Sequence, residues 1–172
     1  MPVGSAAPIV VADANVVINF IHVGLLADLP RLVGWAFIVT DVVYEEVTRP
    51  EQRAALDAAL TAGTWKRESL VELDAIALQA ELMTIMDPGE ASTLALAATK
   101  GYLVASDERR AFLREARARL GPGRIVDTPG LIVLAIDAGN LTVPEADHLK
   151  QVLEAHRFKV RFRSFADLLR VK

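Results

Sequence analysis

The chain has 172 residues, 52% of them hydrophobic, and a formal net charge of -3. That is enough apolar material for one cored domain spanning 1–172, and too much for global disorder. The absence of cysteine excludes disulfides, thiolate metal sites and a cysteine nucleophile, and fits a cytoplasmic protein. No stretch approaches the ~20 uncharged residues of a membrane span. Met1–Pro8 carries no Lys or Arg and no apolar core, so it reads as a flexible lead-in and not as a signal peptide.

In chain order, Ile9-Val10-Val11-Ala12 is a short β-branched run ending at Asp13. It reads as a buried parallel strand. Asn15–Leu26 is the following helix, interrupted before Pro30. Ala36–Thr40 is a second strand, and Asp41 is placed to cap a helix over Val42–Thr48. Glu51–Ala62 is helical and stops at Gly63; Thr64–Leu70 reads as a short edge strand. Glu72–Met86 carries apolar residues at a helical period, and Asp87-Pro88-Gly89-Glu90 opens a helix that runs to Lys100.

Tyr102–Ser106 is another strand, ending at Asp107, with a helix expected over Glu108–Leu120. Arg124–Asp127 is a last short strand. Helices over Thr128–Ala138, Pro144–His156 and Ser164–Leu169 complete the chain. This alternation predicts an α/β fold: a three-layer α/β/α sandwich around a central, mainly parallel sheet. The apolar surplus of Val16–Val33 with Trp35 fits either a thick core or an oligomer interface. Trp35, Trp65 and the three histidines read as packing or surface residues, with no ligand spacing among His22, His148 and His156.

Acidic residues just past strand ends project into the crevice where open α/β sheets hold ligands. Asp13 and Asp107 do so from distant parts of the chain, and their mutual repulsion calls for a divalent cation between them. Glu45 and Glu46 lie side by side in the helix after the second strand, and their order alone does not say which faces the sheet top. Glu90 has capping-box spacing to Asp87. Basic residues gather in Arg109–Arg124 and Arg157–Lys172, a surface suited to phosphates beside an acidic pocket. Hard oxygen donors without Cys or clustered His select Mg²⁺ or Mn²⁺. A haloacid-dehalogenase-like phosphatase would need an acid where Asn15 stands, and a receiver domain an acidic pair at the first strand.

Val11-Ala12-Asp13-Ala14-Asn15-Val16-Val17-Ile18, Val43-Tyr44-Glu45-Glu46-Val47, Gly89-Glu90-Ala91-Ser92-Thr93-Leu94-Ala95-Leu96-Ala97 and Leu103-Val104-Ala105-Ser106-Asp107 resemble, in order and spacing, the acidic motifs of PIN-domain nucleases. The likeness extends to the tail pattern Gly130–Leu134 and Gly139-Asn140-Leu141, and is greatest to VapC-type toxins of toxin–antitoxin pairs. The resemblance implies a Mg²⁺- or Mn²⁺-dependent endoribonuclease, a homodimer, and inhibition by an antitoxin protein that covers the site.

It implies Asp13, Glu46, Glu90 and Asp107 as catalytic carboxylates. Asp13, Glu90 and Asp107 would be the principal metal ligands, and Glu46 would complete the set or act through water. Asn15 resembles the polar residue that steadies the first aspartate on the substrate side. Arg109 and Arg110 are expected to grip the RNA backbone. Two positions depart from the family pattern: Ala14, where Thr or Ser is usual, and Ala105, where Thr is frequent. Both remove hydroxyls that orient carboxylates. They keep open an alternative, a catalytically degenerate PIN-like module that binds RNA or protein.

Overall fold

The computed structural model describes residues 6–170. Five parallel strands form one sheet: β1 (Ile9–Ala12), β2 (Ala36–Thr40), β3 (Trp65–Glu68), β4 (Leu103–Ala105) and β5 (Ile125–Val126), in the order β3-β2-β1-β4-β5. The helices are α1 (Ala14–His22), α2 (Leu29–Val33), α3 (Asp41–Glu46), α4 (Pro50–Thr61), α5 (Leu73–Leu82), α6 (Pro88–Lys100), α7 (Ala111–Leu120), α8 (Thr128–Asp137), α9 (Val143–Ala155) and α10 (Phe165–Leu169). This is the expected α/β sandwich.

The layers follow from the side-chain alternation of the strands. Val10 and Ala12 point into a core shared with Phe20, Leu56, Leu131 and Leu153, from α1, α4, α8 and α9. Val11 and Val104 point the other way, against Leu82, Leu94 and Phe112 from α5, α6 and α7. With both faces covered, β1 needs no polar residue until its end, which is why Asp13 marks the edge of the sheet so sharply. From β1 the chain steps to β2 and β3, then returns to the far side of β1 for β4. The switch point therefore lies between β1 and β4, where Asp13 N donates to the Ala105 carbonyl at 2.9 Å.

Several local expectations shift. Thr40, not Asp41, caps α3: its hydroxyl accepts from Val43 N at 3.1 Å, while Asp41 binds Arg67 and Ser69. Pro30 stands inside the first turn of α2, where its missing N–H is harmless. Helix α7 begins at Ala111 and not at Glu108, so residues 107–110 form a loop. Val16, Val17, Phe20, Leu26, Leu29, Leu32 and Val33 are all buried within the chain's own core, so that surplus is core thickness. Among the described residues the exposed large apolar side chains are instead Val71, Leu73, Ile76, Met83 and Ile85, on and around α5. Trp65 is a packing residue, donating its indole N–H to the Leu26 carbonyl at 2.7 Å. His22 and His156, which no spacing linked, stack with ring centroids 3.8 Å apart. Of the expected lead-in, residues 1–5 lie outside the described residues; the Pro8 carbonyl already accepts from Ala36 N at 2.9 Å.

Candidate metal centre

Asp13 ends β1 and is 4% exposed. One carboxylate oxygen accepts from Ala14 N at 2.8 Å, and the other takes a long contact from the Ser106 hydroxyl at 3.4 Å. Oxygens of Asp13, Glu90 and Glu108 all lie within 4.8 Å of one another. They come from the end of β1, the first turn of α6 and the loop after β4. The cavity at this point, about 280 Å³, is lined by these residues together with Ala14, Asn15, Glu46, Asp87 and Pro88.

Glu46 forms the opposite wall. Its Oε1 accepts from Gly89 N at 2.8 Å, at the N-terminus of α6, where exposed backbone donors favour an anion. The approach is so close that a Cβ on Gly89 would stand 2.1 Å from Glu46 Oε2, so only glycine admits this contact. Glu45 turns away to the guanidinium groups of Arg53 and Arg67. That settles which of the adjacent glutamates reaches the site. Glu90 has two parts to play: its Oε2 accepts from Asp87 N at 3.3 Å as the helix cap, and it also belongs to the trio.

Glu108 was not singled out in the sequence; Asp107 was. The structure does not bring Asp107 into the trio. Its Oδ1 accepts from Thr128 N at 2.7 Å, and its Oδ2 accepts from the Thr128 hydroxyl at 2.6 Å and from Asn19 Nδ2 at 3.0 Å. It ties the end of β4 to the start of α8. Asn15, expected to steady the first aspartate, instead donates its amide to Glu108 Oε1 at 2.9 Å and accepts from Asp107 N at 3.4 Å. The tandem of acids after β4 was the available signal. Which one turns inward is decided by the loop, where Glu108 N donates to the Ser106 hydroxyl at 3.1 Å. The same hydroxyl touches Asp13, so Ser106 supplies locally what Ala105 lacks. Arg109 and Arg110 are exposed, with no ion-pair partner among the described residues.

The electrostatics express crowding. Burial pushes the Asp13 carboxyl up to about 7; its bond from Ala14 N opposes this, and the charges of Glu90, Glu46 and Glu108 add to it. Burial also raises Glu46, against the Gly89 bond. Glu90 is raised by burial and by neighbouring Glu108. Asp107 is raised by burial, but the bonds from Thr128 and Asn19 hold it down. Among the described residues no cationic side chain lines this cavity to balance the trio. A hard divalent cation fits this all-oxygen donor set, with Asp13, Glu90 and Glu108 as holders and Glu46 at the wall.

A family profile for the PIN domain matches residues 9–171. The chain belongs to the PIN-domain family. PIN domains are in general nucleases that use divalent metals, and the carboxylate trio of this PIN domain stands at its sheet's switch point. Among solved structures, PAE2754 from Pyrobaculum aerophilum is similar at 17% identity, with a TM-score of 0.49 over 78% of this chain and 94% of that one. No curated protein matches this PIN domain. None of its helices among the described residues is long and apolar enough to cross a membrane.

Proposed function

We propose that this PIN domain is a Mg²⁺- or Mn²⁺-dependent endoribonuclease of the toxin type, acting on cytoplasmic RNA and held in check by an antitoxin protein. The observation that carries the catalytic part is the convergence of Asp13, Glu90 and Glu108 within 4.8 Å, around a buried Asp13 in a cavity that no cationic side chain among the described residues lines. A cation held there by Asp13, Glu90 and Glu108 would supply charge neutralisation for a phosphodiester and would make water more acidic. The chain's own residues do the rest. Asp13 is fixed by Ala14 N and Ser106, Glu108 by Asn15, and Glu90 by the cap of α6, so the ligand oxygens are positioned before metal or substrate arrives. Glu46, its Oε1 on Gly89 N, is placed to accept a proton from water at the cavity wall. Arg109 and Arg110 stand beside Glu108 to hold the RNA backbone.

The toxin role, the antitoxin and a homodimer rest on the likeness of the acidic motifs to VapC-type toxins. The exposed apolar side chains around α5 offer a face for a second copy or for an antitoxin. A degenerate binding module is less well supported, because the Ser106 hydroxyl reaches the carboxylate that Ala105 leaves without one. The test is Mn²⁺-dependent cleavage of single-stranded RNA. Activity should be lost in Asp13→Asn and Glu90→Gln; cleavage that survives both substitutions would refute the assignment.

A further inference from the structure

Helix α3 has 6 residues, too few to keep a fixed course by its own hydrogen bonds. Its last residue is Glu46, and a carboxylate at the C-terminal end of a helix is opposed by the helix dipole. Contacts from outside α3 must therefore keep Glu46 at the cavity. Two fully buried hydroxyls lie where such contacts are needed. Thr40 closes β2, Ser92 stands early in α6, and both are 0% exposed. Their oxygens are 2.7 Å apart.

Counting protons fixes the direction of each bond. Ser92 has a single hydroxyl proton, which goes to the Gly89 carbonyl at 2.9 Å. The Thr40 hydroxyl is then the donor to Ser92, while its oxygen accepts from Val43 N at 3.1 Å. The Gly89 N–H, in the preceding peptide, donates to Glu46 Oε1 at 2.8 Å. The bonds thus run from the first turn of α3 through Thr40 and Ser92 to Gly89, and from Gly89 to the last residue of α3. Both ends of α3 are tied to one buried glycine of α6.

Stability alone does not call for this pair, because replacing two buried partners by apolar groups of the same shape is often neutral. Apolar groups could not fix a direction, however, and hydrogen bonds do. Thr40 is also paired with Glu68 in the sheet, and β2 lies directly beside β1. The circuit therefore refers Glu46 to the same frame that carries Asp13.

We propose that Thr40 and Ser92 are positioning residues of the metal centre: they clamp α3 to the first turn of α6 and so keep the Glu46 carboxylate on the cavity wall. The consequence for metal rests on the metal-dependent reading of the cavity; the clamp itself does not.

The clamp is tested first without metal, in the amide spectrum of the isotope-labelled protein. A bond to a carboxylate moves an amide proton downfield, so Glu46→Ala should move the Gly89 resonance upfield. Thr40→Val with Ser92→Ala should move it the same way, although neither side chain touches that N–H. The same two changes made in Glu46→Ala should move it no further. Thr40→Ser keeps the hydroxyl and should leave the resonance in place. So should Ser164→Ala, which removes a cap of the same kind from α10. Calorimetric titration with Mn²⁺ then reads the consequence. Groups that orient a metal site are worth about ten- to a hundredfold in affinity, so the double variant should bind Mn²⁺ about tenfold more weakly than the wild type. Added to Glu46→Ala, the two changes should weaken binding no further. The proposal is overturned by a Gly89 resonance that stays put in the double variant, by unchanged Mn²⁺ affinity there, or by an equal loss of affinity in the Glu46→Ala background. If the double variant does not fold, Ser92→Ala alone, which keeps the Thr40 cap on α3, is read in the same way. No Mn²⁺ binding by the wild type would remove the nuclease reading, and the Gly89 resonance would still decide the clamp.

Discussion

In the metal-free protein Asp13 keeps its proton to a pH of about 7, against 3.8 for an ordinary aspartate, because burial and three glutamates disfavour its charge. Between those values the folded chain binds more protons than the unfolded one, so stability falls as pH rises. The contribution is fully present below 3.8 and gone above about 7. At about 1.4 kcal/mol per unit it is of the order of 4 kcal/mol. Thermal unfolding in EDTA should therefore show a melting temperature that drops between about pH 4 and pH 7. Asp13→Asn should flatten much of that drop and raise the melting temperature at the alkaline end.

The adjacent acids after β4 should separate cleanly at the same scale. Asp107→Ala strands the Thr128 N–H and hydroxyl and the Asn19 amide, and should cost about 2–4 kcal/mol in urea unfolding while Mn²⁺ affinity persists. Glu108→Ala should do the reverse, with little effect on stability and a clear loss of Mn²⁺ affinity.

Two short pieces of backbone hold these side chains in place. The first is the loop from Ser106 to Arg110, which turns Glu108 inward and then enters α7 through Arg110 at φ 56, ψ -108. A non-glycine residue in such a region stores about 1–3 kcal/mol. Arg110→Gly should therefore stabilise the protein by about 1 kcal/mol in urea unfolding, after the added flexibility of the unfolded chain is offset. The second is the N-terminus of α6, where the Glu46 carboxylate lies on the backbone of Gly89. In Gly89→Ala the flexible end of Glu46 must move, so the fold should survive with altered metal binding. A crystal structure or Mn²⁺ titration of that variant would show it.

Across the whole molecule, what could be read from the sequence was what depends on burial. β1 and β4 are uninterrupted apolar runs because both faces of the sheet are covered, and each is closed by an acid because the cover ends there. The strand β2 and the helix breaks at Gly63 and Gly101 were legible for related reasons of pattern and backbone freedom. What was not legible depends on tertiary contact. Glu46 is distinguished from Glu45 only by Arg53 and Arg67 on one side and Gly89 on the other. Glu108 is distinguished from Asp107 only by Ser106, Asn15 and the start of α8. Neither a late start to α7 nor a positive φ at Arg110 has a signature in an arginine-rich segment that reads as helix from Glu108 onward.

The account turns on one shared cation site built from β1, α6 and the loop after β4. Its most direct test is the melting temperature of the wild type, Asp13→Asn and Glu108→Gln near neutral pH, with EDTA and with millimolar Mn²⁺. A ligand at about a hundred times its dissociation constant adds about 2.7 kcal/mol to stability. The wild type should therefore gain several degrees, and each variant should lose most of that gain. Equal gains in all the proteins, or none in the wild type, would contradict it.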